Sequence, residues 1–137
     1  MADIGKISEA WKAAWAGKDS DAFTALFTKD ATYRDDQAGR FSRGHEELRA
    51  FHAHFAAAMS GVEMKFTRLI HEGENACMEW QFRGTQSGNF HGRPPTGITV
   101  ESKGISLLKV TDDGLVSDCV DYYDGLALVR QLEGGGA

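Results

Sequence analysis

Residues 88–132, GNFHGRPPTGITVESKGISLLKVTDDGLVSDCVDYYDGLALVRQL, decide the fold. A loop rich in glycine and proline feeds two alternating segments, residues 98–111 and 115–124, and the stretch closes in a short apolar helix. Asp112, Asp113 and Gly114 form a turn of the kind that closes a hairpin between them. Asp124 stands where the last strand hands over to GLALVRQL, a position that can aim one carboxylate into a pocket. Period two puts Val116, Asp118, Val120, Tyr122 and Asp124 on one face, so Asp124 is expected to share a cavity wall with Val120 and Tyr122.

The segments upstream extend the pattern. Val62, Met64 and Phe66 alternate against Glu63, Lys65 and Thr67, and Ala76, Met78, Trp80 and Phe82 alternate against Cys77, Glu79, Gln81 and Arg83. Both read as half-buried strands. Before them the period is helical. Ile4, Ile7, Trp11, Ala14 and Trp15 form an apolar stripe stopped by Gly17, and Asp19 or Ser20 caps a short helix carrying Phe23, Leu26 and Phe27. A short strand from Lys29 and a turn precede a third helix, HEELRAFHAHFAAAMS, whose apolar face is Leu48, Phe51, Phe55 and Met59.

Helices first and antiparallel strands later predict an α+β domain in which the N-terminal helices cover the concave face of a curved, cone-shaped mixed or antiparallel sheet. Gly84 and Gly104 inside strand patterns are expected at bulges or bends that help the sheet curl around a cavity. The outer face, with Glu79, Gln81, Arg83, Glu101, Lys103 and Ile105, is mixed enough to meet water or a second copy of the chain. One domain over residues 1–132 with a frayed tail at 133–137 fits the length of 137 residues.

Composition narrows the function classes. With 42% hydrophobic and 26% charged residues the chain is that of a soluble globular protein. Fifteen basic against twenty acidic residues give a net charge of -5, and no Lys/Arg stripe suits nucleic acid. No stretch is apolar enough to span a membrane, and a protein that is neither secreted nor membrane-spanning is expected. Cys77 and Cys119 sit inside strand patterns without metal-ligand spacing, which reads as reduced thiols in a cytoplasmic protein. No dinucleotide fingerprint or metal pattern occurs, so cofactor-free chemistry without a bound metal is expected.

Among candidate site residues, desolvation of Asp124 in the cavity would raise its pKa toward a range useful for taking a proton beside a carbonyl. The same aspartate is a good N-cap for the last helix, and both roles stay open. His52 falls on the apolar face of the third helix, with His54 on the solvent side, and either hydrogen-bonds a carbonyl oxygen in the cavity or is satisfied by a neighbour. Tyr33 and Asp35 alternate out of the early strand toward the cavity mouth, while Asp36 reads as a solvated turn carboxylate. Trp15, Phe55, Trp80 and Tyr122 supply aromatic pocket wall. The GNFHGRPPTG loop is a rigid lid or dimer contact, with His91 exposed.

The motifs ALFTKDATYRD, RGHEELRAF, GNFHGRPPTG and DDGLVSDCVDYYDGLALVRQL, in this order over nearly the whole chain, resemble the SnoaL-like polyketide cyclases of the nuclear transport factor 2-like superfamily. The resemblance implies a cone-shaped α+β barrel, a homodimer, and cofactor-independent acid/base work on a hydrophobic, polyketide-like carbonyl compound. In the cyclases an aspartate near the end of the last strand serves an intramolecular aldol closure; Asp124 is the best match by its distance from RQL, and Asp121 competes. The tryptophan often found four residues before that aspartate is Val120 here, and a histidine of the preceding strand is replaced near Leu107 and Leu108. The superfamily also contains water-activating epoxide hydrolases and proteins that bind without converting, so those readings stand as alternatives.

Overall fold

A computed structural model describes residues 2–134. Helix α1 (Ile4–Ala16) starts at Asp3, whose carboxylate accepts from the Gly5 and Lys6 amides, and stops at Gly17. Asp19 caps α2 (Ser20–Thr24) in the same way. This helix is shorter than the apolar spacing suggested, and Phe27 instead opens β1 (Phe27–Asp35). A single 3-10 turn at Asp36–Ala38 leads to β2 (Arg40–Arg43), α3 (Gly44–Ala58), β3 (Met59–Glu72), β4 (Asn75–Gln86), β5 (Thr99–Val110), β6 (Val116–Tyr123) and α4 (Gly125–Leu132).

The six strands form one curved, unclosed sheet in the order β2-β1-β6-β5-β4-β3. It is mixed, because β1 runs parallel to β6 while every other pair is antiparallel. The architecture is thus the expected α+β one. Inward-facing residues of the sheet meet α1 and α3 in a core that includes Trp11, Phe23, Phe27, Met78 and Leu108, all nearly inaccessible to solvent. Burying a side chain of this size stabilises by roughly 1.5–3 kcal/mol. A smaller cluster, Ala58, Met59, Val100, Leu128 and Leu132, lies under α4. There Gln131 fastens the helix to β5 by accepting from the Glu101 amide and donating to its carbonyl, each at 2.8 Å.

The two glycines divide. Gly84 lies opposite the β3 irregularity between Ser60↔Thr85 and Glu63↔Arg83, as expected of a bulge, whereas Gly104 sits in ladders that run without a register shift around it. Gly104 is opposite Trp80, and a Cβ there would lie 2.8 Å from the indole ring and 2.5 Å from the Tyr122 carbonyl oxygen. Its missing side chain makes room for Trp80. The irregularities sit in β3, in β1 and at the β5–β6 junction beside Val110.

On the outer face, Ile70, Cys77, Leu107 and Val120 are successive register partners across four strands, with Tyr122 beside them opposite Ile105. Both cysteines are free. No helix among the described residues is long and apolar enough to cross a membrane. Of the expected tail, residues 135–137 lie outside the described residues, and Gly134 (φ 77°) closes α4 by donating to the Gln131 carbonyl.

Candidate active site

Strand register brings the polar groups together. Asp35 on β1 is the partner of Asp121 on β6, and Tyr33 is the partner of Cys119. From the other side Ser106 pairs with Asp121 and Gly104 with Tyr123. These positions share the concave face, where α1 and α3 leave a cavity of about 100 Å³ walled by Trp11, Trp15, Tyr33, Phe51, Phe55, Met64, Trp80 and Phe82. Asp35, Ser106, Asp121 and Tyr123 add the polar groups of that lining.

Asp121 is held by a directed network. Ser106 Oγ donates to its Oδ1 at 2.7 Å, and the Tyr33 hydroxyl donates to its Oδ2. Trp80 Nε1 in turn donates to Ser106 Oγ at 3.0 Å, which fixes the hydroxyl's direction. Burial disfavours the charged carboxylate, whereas the bonds from Ser106 and Tyr33 favour it. Burial wins, helped by the nearby negative charge of Asp35, and the carboxyl, half-buried on the cavity wall, is pushed up to about 7.

The second pair repeats the motif. Tyr123 donates to both Asp35 oxygens, at 2.9 and 3.0 Å, and the Ala38 amide donates to Oδ1 at 3.2 Å. Burial raises the Asp35 pKa against those bonds. Tyr33 and Tyr123 are raised too, first by burial and then by the carboxylates beside them, so both phenols stay protonated as donors.

The exposed rim comes from α3 and the loop after β4. Gln86 is fully buried and organises that loop: its Nε2 donates to the Gly88, Arg93 and Pro94 carbonyls, and its Oε1 accepts from Thr96. Phe90 and His91 are thereby presented beside His54, with the two imidazoles 4.9 Å apart and the His91 amide directed at His54 Nε2. Burial first lowers both histidines, followed by the Arg40 charge at His54 and by His54 and then Arg40 at His91, so both imidazoles are mostly neutral near pH 7. Among the described residues no three His, Cys, Asp or Glu side chains converge as a metal site.

A family model described as a SnoaL-like domain matches residues 8–119. The chain belongs to the SnoaL-like domain family. No curated protein matches it. Among solved structures, a protein with a ketosteroid isomerase-like fold from Catenulispora acidiphila, in complex with trimethylamine, is 27% identical with a TM-score of 0.79, covering 93% of this chain and 92% of its own. A Jannaschia protein named after the SnoaL-like polyketide cyclases is 22% identical, TM-score 0.83, over 94% of this chain and 90% of its own. An M. tuberculosis LEH-like epoxide hydrolase is 19% identical, TM-score 0.72, over 95% and 89%. The last two share the fold.

In this SnoaL-like domain the residues read from the sequence divide sharply. Tyr33, Asp35, Trp15, Phe55 and Trp80 lie on the cavity wall with Asp121. Asp124 does not. It is exposed and caps α4 by accepting from the Ala127 amide at 2.9 Å. Val120 and Tyr122 point to the outer face, because the register shift between Lys109 and Val110 inserts one residue, Ser117, after Val116 and reverses the alternation. Cys119, Asp121 and Tyr123 therefore face inward.

His52 is buried away from the cavity lining. Its Nδ1 is bonded to Ser20 at 2.7 Å and its Nε2 to the Ala14 carbonyl at 2.8 Å, while its ring stacks on Phe23. It ties α1, α2 and α3 together, so of its two readings it is the histidine satisfied by neighbours and not the one that reaches the cavity. His54, expected on the solvent side, is half-buried at the rim instead. Ser106 and Tyr123 were missed, although both follow from carrying the inward face of Trp80 across the ladder.

Proposed function

We propose that this SnoaL-like domain is a cofactor-independent acid/base enzyme of the isomerase or cyclase type, acting on a small hydrophobic carbonyl compound with Asp121 as the proton-transferring group. The observation that carries the reading is one desolvated carboxyl, pushed up to about 7, in an aromatic cavity. A base with that pKa is partly ionised at neutral pH and still basic enough to work. In its ionised form Asp121 takes a proton from the carbon next to the carbonyl, and the C–H electron pair moves to form an enolate. Asp121, now a neutral acid, returns the proton to another carbon, giving an isomer, or to the alkoxide formed when the enolate adds to a second carbonyl, giving a ring. Tyr33 and Ser106 hold the carboxyl in place, and Asp35 with Tyr123 supplies the second acid pair.

The test is exchange of α-hydrogens of cyclopentanone and cyclohexanone with deuterated solvent, followed by NMR. The protein should accelerate exchange, and Asp121→Asn should abolish it. No acceleration, or acceleration that survives the substitution, contradicts the assignment.

A second reading is a binding module for a small methylated ammonium. Two inward carboxylates, neither of which forms an ion pair among the described residues, and an aromatic wall suit such a cation, and the Catenulispora relative holds trimethylamine. Tight binding of trimethylammonium without any exchange activity would favour it. Epoxide hydrolysis is less well supported, since an arginine set between the carboxylates is not in the cavity lining; Arg83 faces outward toward Glu101.

We also infer that two copies pair through the outer apolar row Ile70, Cys77, Leu107 and Val120, on which Ile70 and Leu107 are exposed by 53% and 43%. Free cysteines suit a cytoplasmic setting.

A further inference from the structure

We infer that Trp15 reads the oxygen of the ligand through its indole N–H, which makes the cavity selective for molecules that bring a hydrogen-bond acceptor. Trp15 Nε1 is the one buried side-chain nitrogen or oxygen among the described residues that has no hydrogen-bond partner. The residue belongs to the cavity lining and is 7% exposed. A donor taken out of water without an acceptor carries a desolvation penalty, and such orphans are rare in folded proteins.

The surrounding protein has nothing to offer it. The rings packed around Trp15 are Phe23, Tyr33, Phe51, His52 and Phe55. Three of these have no acceptor. The Tyr33 hydroxyl is directed at Asp121, and both His52 nitrogens are engaged by Ser20 and Ala14. The other cavity indole with an assigned role, that of Trp80, is already held by Ser106. The acceptor for Trp15 therefore comes with the ligand. Phe55 lies edge-on to the indole with centroids 4.8 Å apart.

This deepens the acid/base reading at Asp121 and rests on it for the identity of the acceptor as a carbonyl. The test uses the indole N–H resonances of the 15N-labelled full chain, with the Trp15 signal assigned by its loss in Trp15→Phe. Cyclohexanone should move that signal downfield, while methylenecyclohexane, of the same shape without the oxygen, and trimethylammonium should not. Trp15→Phe keeps an aromatic ring but removes the donor together with part of the wall, so its affinity should fall about tenfold more for cyclohexanone than for methylenecyclohexane, the difference being the loss of one net hydrogen bond. If the variant does not fold, the titration of the unmodified chain decides alone, with the Trp15 signal assigned by triple-resonance experiments. An unmoved Trp15 signal while Trp80 responds, equal affinity in the variant, or no binding of the ketone overturns the inference. A Trp15 response without α-hydrogen exchange sustains the inference and defeats the catalytic reading; exchange dependent on Asp121 with a silent Trp15 does the reverse.

Discussion

Asp35 and Asp121 are opposite partners on the parallel strands β1 and β6, so two carboxylates that point into one cavity are held a single strand spacing apart. Each also has its own phenol, Tyr123 for Asp35 and Tyr33 for Asp121. The arrangement couples their charges. Negative charge on Asp35 raises the Asp121 pKa, so Asp35→Asn should lower it. The rising limb of the pH–rate profile for α-hydrogen exchange would move to lower pH by the same amount.

Asp121 should also make the fold pH-sensitive. Its native pKa of about 7 lies above the ordinary 3.8, so the native state holds more protons than the unfolded state between those values. Stability from this group is therefore full below about 4 and falls as pH rises toward 7. Asp121→Asn removes the dependence, and chemical denaturation should find the variant more stable than the parent at pH 8 by roughly 2–4 kcal/mol, at about 1.4 kcal/mol per unit. Equal stability at pH 8 would contradict the burial of the charge.

Asp124 should behave as a cap. Asp124→Ala removes the bond to the Ala127 amide and should cost about 1 kcal/mol, while Asp124→Asn costs little. Neither should change the exchange rate per folded molecule.

His52→Ala breaks two bonds among α1, α2 and α3 and leaves a void against Phe23, so it should destabilise by about 2–4 kcal/mol in denaturant unfolding. The pH profile of exchange should be unmoved, as befits a residue outside the cavity lining.

The proposed dimer predicts that charge on the outer row separates the copies. Leu107→Lys combined with Ile70→Lys should convert a dimer to a monomer in analytical ultracentrifugation at micromolar concentration. A parent chain that is already monomeric contradicts the interface.

Much of the fold was legible because it depends on period. The helical stripe of Trp11 and Trp15 and the alternation Met78, Trp80, Phe82 each have a face that water excludes, and the structure follows them. Local chemistry was legible too, as at the Asp19 cap and the turn after Val110. The site residue was harder. Alternation from Val116 points inward correctly at its start, but the shift beside Val110 reverses it before Asp121. A single extra residue leaves no mark in the hydrophobic pattern and moves every later side chain to the other face. The pairing of β1 with β6, which sets Asp35 against Asp121, joins segments far apart in sequence and lies beyond local reading.

The acid/base reading rests on Asp121 being a desolvated carboxyl poised near neutrality. Selective 13C labelling of aspartate carboxyls, followed through a pH titration with Asp121→Asn for assignment, measures that directly. The Asp121 signal should titrate with a midpoint of about 7; a midpoint near the ordinary 3.8 would overturn the acid/base reading.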